Sequence, residues 1–265
     1  MAGELPALRL GSLPSAAKCR RLLAALLDPD TKPRPVAKGA FRLDNAVREA
    51  VRVAHDVADQ SASTVAETVD VTAPPGLSAE ERVRFAEALE NYAELVGDDE
   101  VSLHPKSGEF LERPSRTGRF RLTGRTDTTV IGRGDDVVEV RRLHLGGWRP
   151  SNPEADSTDP PMAALDDDAL LCLLVTNGRP SANNELVARV RHLWIGSEPR
   201  DVVRDINVRS ISEAGRKLTE LVEQALVDPS PTPGWWCDAC PAVKSCSAVA
   251  SFADHELLAR LHIGG

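Results

Sequence analysis

Three cysteines crowd one short stretch near the C-terminus. Cys237-Asp238-Ala239-Cys240 brings two thiols round a tight turn, and Cys246 follows after five intervening residues. Thiolates at such spacing bind soft metals, either zinc or an iron–sulfur cluster, and both usually take four protein ligands. By residue type the fourth is open between Cys19, Cys172, His255 and His262. Five cysteines in all is an odd number and fits a disulfide framework poorly. In a reducing compartment, clustered thiols point first to metal.

The rest of the chain must bring these residues together. Its 265 residues carry a formal net charge of −8, with 42% hydrophobic and 27% charged residues. That balance is ordinary for a globular protein and excludes wholesale disorder. The acidic total argues against a general nucleic-acid coat, though not against a locally basic groove. The longest apolar run, Leu170 to Val175, is far short of the roughly 20 residues of a membrane span. The start, Met1-Ala2-Gly3-Glu4, has neither a basic region nor an apolar core of a signal peptide, so a cytoplasmic protein without membrane contact is expected.

Apolar spacing predicts a helix over 15–27, with Cys19 on its apolar side, and a second over 43–59 with Ala46, Val47, Ala50, Val51 and Ala54 as its stripe. Thr31 to Pro35 is an extended connector. Ser78 and Glu81 have capping-box spacing, which starts a helix that should stop at Gly97. The centre alternates, with strands over 120–131 and 137–145 flanking the turn Gly132 to Asp136. A polar loop from Arg149 to Pro161 precedes a helix over 164–176, strands over 186–195 and 201–208, and a helix opened by Ser210 and Glu213 that runs to Val227. A terminal helix is expected over 247–261. The fold class is therefore α/β (α+β), a short mixed sheet flanked by helices. One domain spans 1–265: a helical part over 1–100, a sheet core over 105–230, and the cysteine segment with its helix over 231–265.

The run Gly234-Trp235-Trp236-Cys237-Asp238-Ala239-Cys240-Pro241-Ala242-Val243-Lys244-Ser245-Cys246 resembles the C-terminal iron–sulfur signature of the RecB-like nucleases. That group includes the four-cysteine CRISPR-associated exonucleases and AddB-type nuclease domains. Ser15 to Arg21 looks like its N-terminal ligand helix, with Arg20 in place of the customary proline. The resemblance implies a [4Fe–4S] cluster on Cys19, Cys237, Cys240 and Cys246, with zinc as the alternative. Such a clasp would close a loop of more than two hundred residues. Trp235 and Trp236 would cover the cluster, and Cys172 would be a small buried hydrophobe.

The same resemblance implies a restriction-endonuclease-like, PD-(D/E)XK core. Asp127 in Gly124-Arg-Thr-Asp127 matches its Gly-x-x-Asp strand, and Glu139-Val140-Arg141 its acid-x-Lys strand. A hairpin centred on Arg133 would oppose residues 127 and 139, with Cβ atoms about 5 Å apart. Asp127, Glu139 and the Val140 carbonyl would then hold Mg²⁺ or Mn²⁺ for phosphodiester hydrolysis, with Arg141 on the scissile phosphate. Three departures stand against full activity. Arg141 replaces the lysine and cannot carry a proton at working pH. Arg48 stands where the family has a metal-binding histidine, leaving His55 as a surface residue. The helix beginning Asp166-Asp167-Asp168 lacks the family's glutamine motif.

From Arg113 to Arg149 nine arginines meet four acids, a local inversion of charge that suits a groove along a phosphate backbone. His144 and His192 lie on predicted strands without metal-ligand spacing. Three readings remain open. One is a metal-dependent DNA exonuclease or endonuclease, acting on single strands or duplex ends. The second is an inactive DNA-binding or assembly subunit beside a helicase, integrase or nuclease, in a DNA-processing or defence complex. The third is a zinc-stapled scaffold.

Overall fold

The computed structural model describes residues 5–28, 30–31, 42–61, 63–97, 104–107, 110–131, 137–146, 165–176, 186–232, 237, 240–243, 246 and 248. The expected turn over 132–136, the loop over 149–161, the terminal helix apart from Ala248, most of the extended connector, Trp235, Trp236, His255 and His262 lie outside them. In chain order the elements are β1 (Ala7–Arg9), α1 (Leu13–Ala16), α2 (Arg20–Leu27), α3 (Arg42–Ser61), α4 (Val65–Thr68) and α5 (Ala79–Val96). There follow β2 (His104–Ser107), β3 (Phe110–Pro114), β4 (Arg121–Arg125), β5 (Thr128–Ile131) and β6 (Val137–His144). The last are α6 (Asp167–Val175), β7 (Leu186–Trp194), β8 (Arg200–Asn207) and α7 (Val208–Val227).

The architecture is mixed α/β, with helices flanking two small mixed sheets rather than one. The smaller has the order β1-β4-β3 and the larger the order β2-β5-β6-β7-β8. β6 and β7 run parallel at the centre of the larger sheet, and its other neighbours are antiparallel. Each face of this pair meets a separate core. Val140 and Val190 join a cluster with α2, α6 and α7, whereas Leu143 and Leu193 join one with α3 and α5. Alternation along a strand puts residues an odd number apart on opposite faces, which explains this division.

Local chemistry explains most element ends. Ser78 and Glu81 make the reciprocal capping box at the start of α5, and Gly97 ends it at φ +49°, a conformation costly for other residues. An unanticipated capping box, Thr64 with Glu67, starts α4. At α7 the expected pair Ser210 and Glu213 is displaced: Asn207 caps the helix by accepting from the Ser210 N–H, so the helix begins at Val208. Pro105 stands in β2, an edge strand, where a missing N–H costs no ladder bond.

Two expectations fail in instructive ways. The helix over 15–27 divides, because Cys19 is extended (φ −145°, ψ 110°) and stands at the N-cap of α2. Its Sγ there accepts from the Thr232 N–H at 3.4 Å, a contact from the far end of the chain. The strand over 120–131 also divides. β4 belongs to the small sheet and β5 to the large one, with Thr126 and Asp127 as the joint between them. No described helix is long and apolar enough to cross a membrane.

The joint after β7 sets a strict steric limit. A Cβ added at Gly196 would lie 2.5 Å from the Leu145 carbonyl oxygen, which is backbone and cannot swing away. Gly196→Ala should cost about 1–3 kcal/mol in urea unfolding, the range for overpacking. Gly146→Ala, with nothing within 4 Å of its Cβ, should stay within about 0.5 kcal/mol of the parent.

Candidate functional site

The proposed acid pair does not form. β5 and β6 pair with Thr128 opposite Arg141, Thr129 opposite Val140 and Val130 opposite Glu139, with a bulge after Val130. Continuing that register puts Asp127 opposite Arg142, three residues or about 10 Å from Glu139. The centred-hairpin expectation erred because the strands pair about a point between residues 134 and 135 rather than about Arg133, with the bulge after Val130 contributing to the offset.

Each acid has an arginine instead. Asp127 pairs with the Arg48 guanidinium through Oδ1, and its Oδ2 accepts from the Leu143 N–H at 2.8 Å. Arg48 also binds Asp44 at 2.8 Å and the Leu143 carbonyl at 2.8 Å. Burial opposes the Arg48 charge, but Asp44 and Asp127 more than offset it and raise its pKa. The Glu139 Oε1 accepts from Arg141 Nε at 2.9 Å. Arg141 is 0% exposed, so the expected contact with a scissile phosphate is corrected: it serves the interior.

This donor set does not fit a divalent cation. Both Asp127 oxygens are engaged, the acids are separated in register, and Glu139 shares its charge with a buried guanidinium. Val140 lies between Thr129 and Val190, in a strand paired on both sides whose carbonyls serve the ladder.

His55 also departs from expectation. It is 1% exposed rather than on the surface, with Nε2 2.6 Å from the Tyr92 hydroxyl and 3.5 Å from Thr128 Oγ1. Among the described residues its Nδ1 has no hydrogen-bond partner. Burial, then the nearby Arg141 charge, lowers its pKa to about 3.

On the other face of β6 and β7 lies a polar chain that spacing did not reveal. His192 Nε2 is 3.0 Å from Asp168 Oδ2, and its Nδ1 is 2.9 Å from His144 Nε2. Arg142 and Arg204 also bind Asp168. In the neutral chain His192 donates to Asp168, so its Nδ1 accepts from His144. The parallel register places Arg142 beside His192 and His144 beside Trp194, and the three rings stack. Burial first, then His192, Arg142 and Arg48, lowers the His144 pKa to about 4. Burial raises the pKa of neighbouring Asp167 to about 6.

Cys19 and Cys240 are buried and Cys237 and Cys246 half-buried. Cys19 and Cys240 belong to one buried cluster with Cys237 packed against it, and the Cys240 and Cys246 N–H groups donate to the Cys237 and Val243 carbonyls at 3.1 and 3.3 Å. Burial raises the Cys240 pKa, the Ala242 N–H opposes this, and Cys19, Cys237 and Cys246 raise it further. Among the described residues no group of three such side chains is placed to hold a metal ion. Four soft donors in one place nonetheless fit a thiolate-bound metal by type. Cys172, 0% exposed and within the core, is a buried hydrophobe with its pKa pushed up to about 12, chiefly by burial.

The arginine-rich stretch is divided between roles. Arg121 pairs with Glu112, Arg141 with Glu139 and Arg142 with Asp168, whereas Arg133 and Arg149 lie outside the described residues.

Two outcomes follow from the buried charges. Glu139→Ala removes the carboxylate beside a fully buried guanidinium and should cost about 3–5 kcal/mol in urea unfolding, with Glu139→Gln costing less. The second concerns pH. Below about 6.5 an unfolded His55 takes a proton that the folded one refuses until about 3. Its contribution is therefore full above 6.5 and is lost as pH falls, by up to about 1.4 kcal/mol per unit. His144 acts in the same direction, and Asp167, whose pKa is raised, acts oppositely between 3.8 and about 6. Urea titrations from pH 7 to 4 should show His55→Gln flattening this decline.

No protein-family model matches the chain, and no curated protein does. Among solved structures it is similar to one titled "Crystal structure of SSO0001", with 10% sequence identity and a TM-score of 0.40 over 94% of this chain and 89% of that chain.

Proposed function

We propose that this chain is a catalytically inactive relative of the RecB-like nucleases, acting as a nucleic-acid-binding or assembly subunit of a DNA-processing or defence complex. The observation that carries this reading is that an arginine occupies each acid where the nuclease would need a divalent cation: Arg48 on Asp127 and Arg141 on Glu139. A guanidinium supplies positive charge permanently but neither activates water nor accepts a proton. The partner would be a helicase, integrase or nuclease that provides the chemistry.

Cys19, Cys237, Cys240 and Cys246 would hold a [4Fe–4S] cluster. Its contribution here is a covalent tie between two ends of the chain, stabilising the fold in proportion to metal affinity. The gathering of all four thiols supports this ligand set over Cys172, which is packed among the side chains of α6 and α7.

Anaerobically purified protein should contain iron and sulfide in equal amounts and little zinc. Cys19→Ala and Cys240→Ala should both lose the iron, while Cys172→Ala keeps it. With Mn²⁺ the protein should bind labelled DNA without cutting it. Mn²⁺-dependent cleavage that disappears in Asp127→Ala would overturn the inactive reading in favour of the nuclease. Zinc in place of iron would favour the scaffold.

A further inference from the structure

A cleft of about 430 Å³ opens between the β3–β4 hairpin and the helices α6 and α7, and none of Cys19, Cys237, Cys240, Cys246 and Asp127 lines it. That volume is within the range of small-ligand sites. Its floor is apolar, formed by Phe120, Leu122, Leu173, Ile211 and Leu218. Thr117, Ser212 and Thr219 line it as well, with Thr219 Oγ1 donating to the Gly215 carbonyl at 2.9 Å and Thr117 Oγ1 3.3 Å from Ser115 Oγ.

Its charge is one-sided. Residues 113–126 hold five arginines and no acid, in a chain whose net charge is −8. Arg113 and Arg116 line the cleft, and the carboxylate in its lining, Glu220, is engaged by Arg216 at 2.5 Å. Neither Arg113 nor Arg116 pairs with a carboxylate among the described residues. Arg113 is fixed by donating to the Leu173 carbonyl at 2.9 Å, near the C-terminal end of α6. Burial lowers its pKa and the nearby Arg116 charge lowers it further.

The ligand must therefore combine an apolar, hydrogen-bonding body with negative charge. We propose that the cleft seats one nucleotide of a single-stranded nucleic acid, its base over the apolar floor and its phosphates on Arg113 and Arg116. This rests on the reading of the chain as a nucleic-acid-binding subunit. A base offers a flat face for the floor and polar edges for the Ser212 hydroxyl at the rim. A duplex keeps its bases stacked inside and cannot insert one without unpairing, so single strands are favoured.

The test is fluorescence anisotropy of the full chain with a short fluorescein-labelled oligothymidylate, against the same measurement with a hairpin duplex. Ser212→Trp would fill the cleft from an exposed position on α7, and Arg116→Ala would remove one phosphate partner. Each should weaken single-strand binding about tenfold, and Arg116→Ala should reduce the slope of log affinity against log salt by about 0.7. Arg84→Ala, on α5, is the control and should change neither. Oligonucleotides carrying 5-iodouracil should photo-crosslink within residues 115–122 or 211–219. Unchanged binding in both cleft variants, crosslinks elsewhere, or a preference for duplex would overturn the cleft assignment while leaving nucleic-acid binding intact. Absence of binding to either nucleic acid by the parent protein would overturn both.

Discussion

A guanidinium beside a carboxylate is charged at every pH at which the protein folds, and Arg48 uses that constancy at the place where the chain changes sheets. Asp127 lies just after β4 leaves the small sheet and just before β5 enters the large one. Arg48 holds it from α3 while also binding the Leu143 carbonyl, and Asp127 accepts the Leu143 N–H. One ion pair therefore joins a helix, the joint between sheets and the end of β6. The pair is only partly exposed, so solvent screening is weaker than at an open surface. With α3 placed in this way, Val47, Val51 and Ala54 close one core against α5, and His55 reaches Tyr92 one turn later.

Burying Arg141 beside Glu139 is a poor way to gain stability, because desolvation consumes much of what the charges return. Its better-supported physical consequence is register. A slip of one residue between β5 and β6 would turn every side chain of β6 to the other face. Arg141 would then enter the cluster around Val140 and Val190, and Leu143 would leave its own. The charged pair makes that alternative far costlier than an apolar residue would. On the opposite face, the link from His144 through His192 to Asp168 fixes β6, β7 and the start of α6 to one another. Polar groups on both faces thus specify the one parallel pairing in the larger sheet.

What could be read in the sequence was local. The start of α5 follows from Ser78 and Glu81, and β7 and β8 fall within a residue of their alternating segments. The buried position of His55 was also open to reading, since Val47, Val51 and His55 continue one i, i+4 row on α3. What could not be read depended on breaks in that regularity. A bulge after Val130 and a change of sheet at Thr126–Asp127 defeat arithmetic based on a symmetric hairpin. Cys19 leaves its helical row because a distant segment, at Thr232, meets it. The link between His144 and His192 arises from a parallel pairing across some fifty residues, which no spacing rule encodes.

The arginines between β3 and β6 show how one composition serves two opposite purposes. Those in or beside the larger sheet, Arg141 and Arg142, meet carboxylates and contribute little net field beyond them. Among the described residues Arg113 and Arg116 meet none, so their field extends outward from the cleft. Arg113 adds a further constraint: the C-terminal end of a helix carries partial negative charge, and the Leu173 carbonyl near that end of α6 holds the guanidinium in place. A cation fixed in this way loses less side-chain freedom on meeting an anion than a free surface arginine does. The remainder of the chain is acidic and repels a polyanion, which disfavours approach to other faces. On the proposed reading, orientation of a bound strand would follow from this contrast, with acidic surroundings excluding it elsewhere and the preset pair of arginines receiving it at the cleft.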